Sequence, residues 1–220
     1  MKTNISLKIV LAVLFIAIAI NPAFAGSKFG PRIPTAYVVT SGIGQSDDGI
    51  PPDPYETFSY DLALLDAGIE DFNVVYYTSV LPPESYSVPR EIAERYYHHG
   101  AVLEAIMAKA GGVKGETIVA GVGRVWALNK DGKPVGGYAA EYERIYNCEY
   151  DETKARKEAE AQIAKSLNHE LKIRNLTLDK TKPMDFEVAY LKITKNYGMA
   201  IAVLCFLDFI YPDPLPLPGK

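Results

Sequence analysis

Thr78 and Ser79 stand at the end of an apolar run, Asn73-Val-Val-Tyr-Tyr, and are followed by Val80-Leu81-Pro82-Pro83. A hydroxyl held at such an exit can attack the carbonyl just before it. Ser79 Oγ would add to the Thr78 carbonyl carbon, turning the amide into an ester. Loss of the Ser79 α-proton would then expel Thr78 as a carboxylate. The dehydroalanine left behind hydrolyses to a pyruvoyl group and ammonia. A strained turn favours the first step, because strain is released as the bond rearranges. The apolar residues fit a buried strand, and a Pro-Pro pair cannot continue a β ladder. The same residues also fit a plain strand, turn and loop, with both hydroxyls bonding nearby backbone.

The elements that must position this pair can be read from periodicity. Residues 35–40 read as a first strand, and residues 42–52, rich in Gly, Asp and Pro, as a loop. Residues 57–67 read as a helix, with Thr57 as its N-cap and Gly68 as its stop. Residues 73–77 form the strand that delivers the pair. Residues 100–108 lie between glycine-rich turns and read as a strand. Residues 116–128, a turn at 129–133 and residues 135–143 read as a hairpin. Over residues 152–175, Ala155, Ala159, Ile163, Leu167 and Leu171 recur every four residues, which puts them on one face of a helix. Residues 187–193 and 198–209 read as closing strands. The expected fold class is α+β: a layered sandwich of mostly antiparallel sheets with outer helices.

Residues 1–25 read as a separate segment. Lys2 and Lys8 give a positive start, residues 9–20 are apolar, and Ala23-Phe24-Ala25 ends in the small-x-small pattern of a secretory signal peptide. The apolar stretch is short for a membrane span. The expected domains are this leader, one domain over 26–210, and a Pro-rich, disordered tail over 211–220. The whole chain carries 23 basic and 27 acidic side chains; losing Lys2 and Lys8 with the leader moves the formal charge from −4 to −6. A mildly acidic chain without a basic run argues against nucleic acid as partner. Cys148 and Cys205 form no Cys-x-x-Cys or zinc pattern, and export would permit a disulfide without showing that they meet.

Several blocks, in order, carry a family resemblance. They are Thr40-Ser-Gly-Ile-Gly-Gln-Ser-Asp-Asp-Gly-Ile-Pro-Pro, Asp53-Pro-Tyr-Glu-Thr-Phe-Ser-Tyr-Asp61-Leu-Ala-Leu64-Leu-Asp-Ala-Gly68-Ile69, Asn73 with Thr78-Ser79-Val80-Leu81-Pro82, Gly136-Gly-Tyr-Ala-Ala-Glu141-Tyr142, and Lys165-Ser-Leu-Asn-His-Glu-Leu. Together they resemble the pyruvoyl-dependent arginine decarboxylases, in the bacterial branch known from chlamydiae. The resemblance runs from about Pro34 to Phe209. Archaeal members usually carry Ser before the cleaved bond, whereas this chain carries Thr78, as the chlamydial type does. The N-terminal leader is a second departure, since the family is usually cytoplasmic and the leader implies a periplasmic or secreted protein.

The resemblance implies a self-processing lyase. The chain would be cut between Thr78 and Ser79 into a β chain, 26–78, and an α chain, 79–220. The cofactor would be the pyruvoyl group made from Ser79, forming a Schiff base with the α-amine of L-arginine and accepting electrons as carbon dioxide leaves. The resemblance assigns Glu141 as the proton donor that completes agmatine, Asp61 as the partner of the guanidinium, and Leu64 as the wall beside the aliphatic stem. Asn73 would polarise the Thr78 carbonyl during processing. A carboxylate accepts two parallel N–H bonds from a guanidinium, which suits Asp61 to that role. Partners implied are arginine and further copies, assembled as trimers or dimers of trimers. Read without the resemblance, Glu141, Asp61 and Asn73 are equally a surface glutamate, a solvated helix carboxylate and a turn asparagine.

Other features are discounted. Gly121-Val-Gly123 is a weak echo of a phosphate loop, because Trp126 replaces the third glycine of a dinucleotide fingerprint. His98-His99 lacks further ligands, so no metal is expected. Asp47-Asp48 reads either as a solvated loop or as the lining of a substrate entrance, and His169 as polar-face decoration. Two alternatives stand beside the main reading: a pyruvoyl decarboxylase of another amino acid, or a non-enzymatic exported relative that binds or assembles.

Overall fold

The computed structural model describes residues 31–211. The leader at 1–25 and residues 212–220 of the Pro-rich tail lie outside the described residues.

Residues 33–210 form one compact unit. Its elements in chain order are β1 (Ile33–Pro34), β2 (Ala36–Ser46), α1 (Phe58–Ala67), β3 (Asn73–Tyr76), β4 (Val80–Leu81), β5 (Tyr86–Ser87) and the short α2 (Arg90–Ala93). There follow β6 (Val102–Val113), β7 (Thr117–Leu128), β8 (Pro134–Tyr146), α3 (Glu152–Ile173), β9 (Thr177–Leu178), β10 (Asp185–Lys192), β11 (Tyr197–Phe206) and β12 (Phe209–Ile210). One sheet has the order β3-β6-β11-β2-β5; the other has β10-β7-β8-β4, with β9 beside β7. Pairing is antiparallel except for β2 with β5 and β3 with β6.

Side chains alternate across a strand, so each sheet buries two faces. Tyr37, Ile106, Leu204 and Phe206 from the first sheet meet Leu81, Val122, Trp126 and Ala139 from the second. The outer face of the first sheet packs Val38, Met107, Ile201 and Val203 under Tyr60, Ala63, Leu64 and Ala67 of α1. The outer face of the second packs Val125, Ala127 and Ala140 under Ile163, Leu167 and Leu171 of α3. The layers therefore run helix, sheet, sheet, helix. All five residues expected on the inner face of α3 are buried.

The largest departure from the expected elements is β2. It continues through Gly42 and Gly44 to Ser46, where a loop was expected. Those glycines face α1. A Cβ on Gly42 would stand 2.1 Å from the Ala63 carbonyl oxygen, and one on Gly44 would stand 2.1 Å from that of Ser59. The helix lies directly on the strand backbone, and only glycine allows this. Gly44→Ala is therefore expected to push α1 outward and to destabilise the fold by about 1–3 kcal/mol, the usual range for overpacking. Urea unfolding checks this; an unchanged midpoint would mean that the helix is not seated as described.

Smaller departures have local causes. Thr57 makes no side-chain cap bond, since its own backbone is already helical (φ −92°, ψ −46°). Ser59 Oγ donates to the Tyr55 carbonyl instead, at 3.1 Å. Gly68 does end α1, with a left-handed φ of 70°. Helix α3 stops at Ile173, two residues earlier than expected, because Asn175 turns left-handed at φ 53°. Asp151 caps its start, accepting from Lys154 N–H at 2.9 Å. The final strand divides at Leu207 and Asp208, so that β12 pairs with β1.

Candidate active site

The pair Thr78-Ser79 lies where the chain changes sheets. Strand β3 runs parallel to β6 at the edge of the first sheet, and Tyr77 N–H donates to the Ala105 carbonyl at 2.8 Å. Two residues later the chain belongs to the second sheet. The Ser79 carbonyl accepts from Ala139 N–H at 2.9 Å, and β4 pairs antiparallel with β8, Val80 opposite Tyr138 and Leu81 opposite Gly137. Stacked sheets lie roughly 10 Å apart, so the pair bridges that gap. Leu81, 1% exposed, anchors the far side in the core between the sheets. Gly136 takes φ 102°, and a Cβ there would meet the Leu81 carbonyl at 2.3 Å, so glycine lets Pro82 and Pro83 pass close to β8.

Glu141 is brought to the same place. It shares a face of β8 with Ala139, which points into the inter-sheet core. Ser79 shares a face with Leu81. Ser79 stands opposite Ala139, so its hydroxyl and the Glu141 carboxyl lie on one face of the second sheet, close enough for Ser79 to act on the Glu141 pKa. By surface area Glu141 is exposed, yet enough protein surrounds its carboxyl for desolvation to dominate. Burial pushes its pKa up and Glu143 pushes the same way, while its own backbone N–H and the Ser79 hydroxyl pull it back. The net direction is upward, as an acid working near neutrality requires.

Residues that the sequence did not single out form a second polar group, on the α1 side of the first sheet. The hydroxyls of Tyr60 and Tyr76 lie 3.4 Å apart, and both contact Met107 Sδ. Burial and the contact with Tyr76 raise the Tyr60 phenol well above its usual range, so it stays neutral. Lys109 binds Glu56 at 3.0 Å and lies 4.7 Å from the Tyr60 ring centroid. Lys109 N–H donates to Glu143 Oε1 at 2.8 Å. Only Tyr76 could have been suspected, from its place two residues before Thr78. The others come from separate elements and carry no shared motif.

The remaining expected residues are not gathered here. Asp61 points outward from α1, on the opposite side of the first sheet from Ser79 and Glu141. Leu64, expected as a pocket wall, is 8% exposed and packs in the core beneath α1. Asn73 donates its amide to the Gly100 carbonyl at 2.9 Å, not to Thr78. It begins β3, and the extended run from Asn73 to Tyr77 spans roughly 13 Å, so the polarising role is not reached within one chain. Asp47 pins a turn: its Oδ1 accepts from Asn196 N–H at 3.2 Å, and its backbone carbonyl from the Asn196 amide at 3.0 Å. His99 pairs with Asp71 at 2.9 Å. No cluster able to hold a metal occurs among the described residues. Cys148 and Cys205 are both free, one exposed and one buried, and burial raises the Cys205 thiol.

The family model described as "Pyruvoyl-dependent arginine decarboxylase (PvlArgDC)" matches residues 36–211. The "Pyruvoyl-dependent arginine decarboxylase AaxB" of Chlamydia muridarum is 42% identical over 192 residues, covering 85% of this chain and 97% of that protein. The protein of the same name from Chlamydia abortus is 42% identical over 194 residues, covering 86% and 98%. The "Pyruvoyl-dependent arginine decarboxylase 2" of Archaeoglobus fulgidus is 37% identical over 111 residues, covering 50% of this chain and 64% of its own length.

Proposed function

We infer the activity from one premise: this chain belongs to the pyruvoyl-dependent arginine decarboxylase family, and is a carboxy-lyase whose cofactor is a covalent pyruvoyl group. We propose that it cuts itself between Thr78 and Ser79 and converts L-arginine to agmatine and carbon dioxide. The observation that carries this reading is the Thr78-Ser79 pair set at the sheet-to-sheet crossover, with Ser79 bonded opposite Ala139 on the same face of the second sheet as Glu141.

The residues present suit such a group. The Ser79 carbonyl lies on the C-terminal side of the bond to be cut, so its bond from Ala139 N–H survives cleavage and keeps the new chain end in place. Thr78 is exposed, which lets the departing carboxylate turn into solvent. The pyruvoyl carbonyl supplies the electron sink for loss of carbon dioxide from the bound α-amino acid. Glu141, whose pKa burial raises, returns a proton to the substrate Cα.

Asp61 on α1 is proposed to serve substrate recognition from a neighbouring copy, assembled as a trimer or a dimer of trimers, with Leu64 beneath it seating the helix that presents it. In support, Asp61 stands among the exposed Leu62 and Leu65, while exposed Val75, Tyr76 and Val80 flank the cleavage pair along the chain. Two unlike apolar patches make a head-to-tail contact, which can close into a ring. Asp61→Asn is expected to process normally but to bind arginine more weakly, by about 1.5–3 kcal/mol for a charge-assisted contact. Co-expressed with the Ser79→Ala chain, it should regain turnover at low arginine, because mixed neighbours rebuild intact sites. Co-expressed activity no better than that of Asp61→Asn alone would place the site within one chain.

Export is proposed from the leader, with removal of residues 1–25. Fractionation and N-terminal sequencing are expected to find mature protein beginning at Gly26 outside the cytoplasm. An intact Met1 end in the soluble cytoplasm would exclude this.

A further inference from the structure

We propose that Glu143 is a positioning residue for the Glu141 acid: its carboxylate latches the free end of β8 onto the unpaired edge of β6 and sets a negative charge beside Glu141. This rests on the reading of Glu141 given above.

Strand β3 covers β6 only from Val102 to Ala105. Beyond that point the chain has left for the second sheet, and among the described residues no strand pairs with that edge of β6. Lys109, like Ala105, turns its backbone N–H and carbonyl to that edge, because these groups alternate sides along a strand. A bare edge N–H needs a partner. Glu143 supplies it, its Oε1 accepting from Lys109 N–H at 2.8 Å across 34 residues of sequence. A carboxylate on an N–H makes a stronger bond than a neutral acceptor. The bond ties the two sheets together beside the crossover that contains Ser79.

Glu143 stands two residues from Glu141 on the same face of β8, roughly 7 Å along the strand. The other groups facing this point do not offset its charge. From β6, the Lys109 ammonium is drawn away to Glu56 at 3.0 Å. Just before β4 there is the Ser79 hydroxyl. The β7 residues opposite Glu141 and Glu143 are Val122 and Ala120; further along that face Arg124 is paired with Asp185, and Glu187 of β10, beside Val122, accepts from Ser41 Oγ at 2.6 Å. On β8 itself, Arg144 turns to the other face, 5.6 Å from the Tyr146 ring centroid. The like charge of Glu143 therefore acts on Glu141 without a close cation between them, and it favours the protonated acid.

The test uses Glu143→Gln and Glu143→Ala in the full chain, with Glu141→Gln as reference. Each is checked for cleavage on a gel and then assayed for agmatine formation across pH. The glutamine keeps an oxygen for Lys109 N–H and removes the charge. It should process normally, keep plateau kcat within about twofold, and lose activity on the alkaline side at a pH lower by roughly half a unit. The alanine removes charge and latch together. It should show the same displacement and, in addition, a fall in kcat of roughly tenfold at every pH, with KM for arginine unchanged. A Glu143→Gln profile superimposable on the wild type overturns the charge; a Glu143→Ala plateau equal to that of Glu143→Gln overturns the latch. If the alanine variant does not fold, the glutamine profile decides alone. Near-normal turnover in Glu141→Gln would remove the acid itself and this inference with it. A slow Glu141→Gln beside wild-type Glu143 variants would sink the positioning role only.

Discussion

Ser79→Ala is expected to leave one unbroken chain with no decarboxylase activity. The substitution removes a single oxygen at a half-buried position. The bond from Ala139 N–H to the residue 79 carbonyl is a backbone bond and remains, as do the β4 pairing and the Leu81 anchor. The fold should therefore change little, by less than about 1 kcal/mol. What disappears is the nucleophile for the acyl shift and the atom set from which the pyruvoyl group is made. Activity should fall to background, because no other described group in the crossover offers a carbonyl for the substrate amine. A gel shows one band in place of two, and urea unfolding separates a chemical failure from a folding failure. Partial cleavage in a well-folded Ser79→Ala would mean that a protease, not the chain itself, makes the break.

Glu141→Gln should cleave and bind arginine but turn over about a hundredfold more slowly or worse, the usual cost of losing a general acid. The wild-type pH profile carries the same information. Glu141 must hold its proton to act, and burial raises its pKa. Turnover should therefore persist above the range of an ordinary carboxylate, and then fall as pH rises through the raised value. In Glu141→Gln that alkaline limb should vanish along with most of the rate. Agmatine release against arginine concentration separates the effect from binding: kcat drops and KM stays. Near-normal turnover in this variant would place the acid elsewhere.

How far the chain could be read without its structure depended on the range of the interactions involved. Helix α3 and the β7–β8 hairpin follow local periodicity, and both stand within a few residues of their expected bounds. Ser79 and Glu141 could be named from motif blocks, and the alternation of β4 and β8 brings them together. Gly42 and Gly44 misled the reading because glycine usually marks a loop. Here it marks a strand pressed against a helix, a cause that lies in α1 and not in the local residues. The crossover itself was not legible, since β4 is two residues long and owes its place to β8. Asn73, Asp61 and Leu64 show the limit of carrying roles by motif. A motif fixes the residue, but the amide of Asn73 is engaged by Gly100 and Leu64 is turned into the core by the helix period. Glu143 was hidden for the opposite reason: its partner is a backbone N–H, which has no signature in sequence.

The intact mass of the purified wild-type protein tests the central claim most directly. Self-cleavage predicts two species. One ends at Thr78 with an ordinary carboxylate, and the other begins at residue 79 with a pyruvoyl group in place of serine, lighter than the serine-initiated chain by the mass that ammonia loss leaves. Brief treatment with a carbonyl-reactive amine should shift the second species only. A single full-length chain that nevertheless decarboxylates arginine would contradict the account.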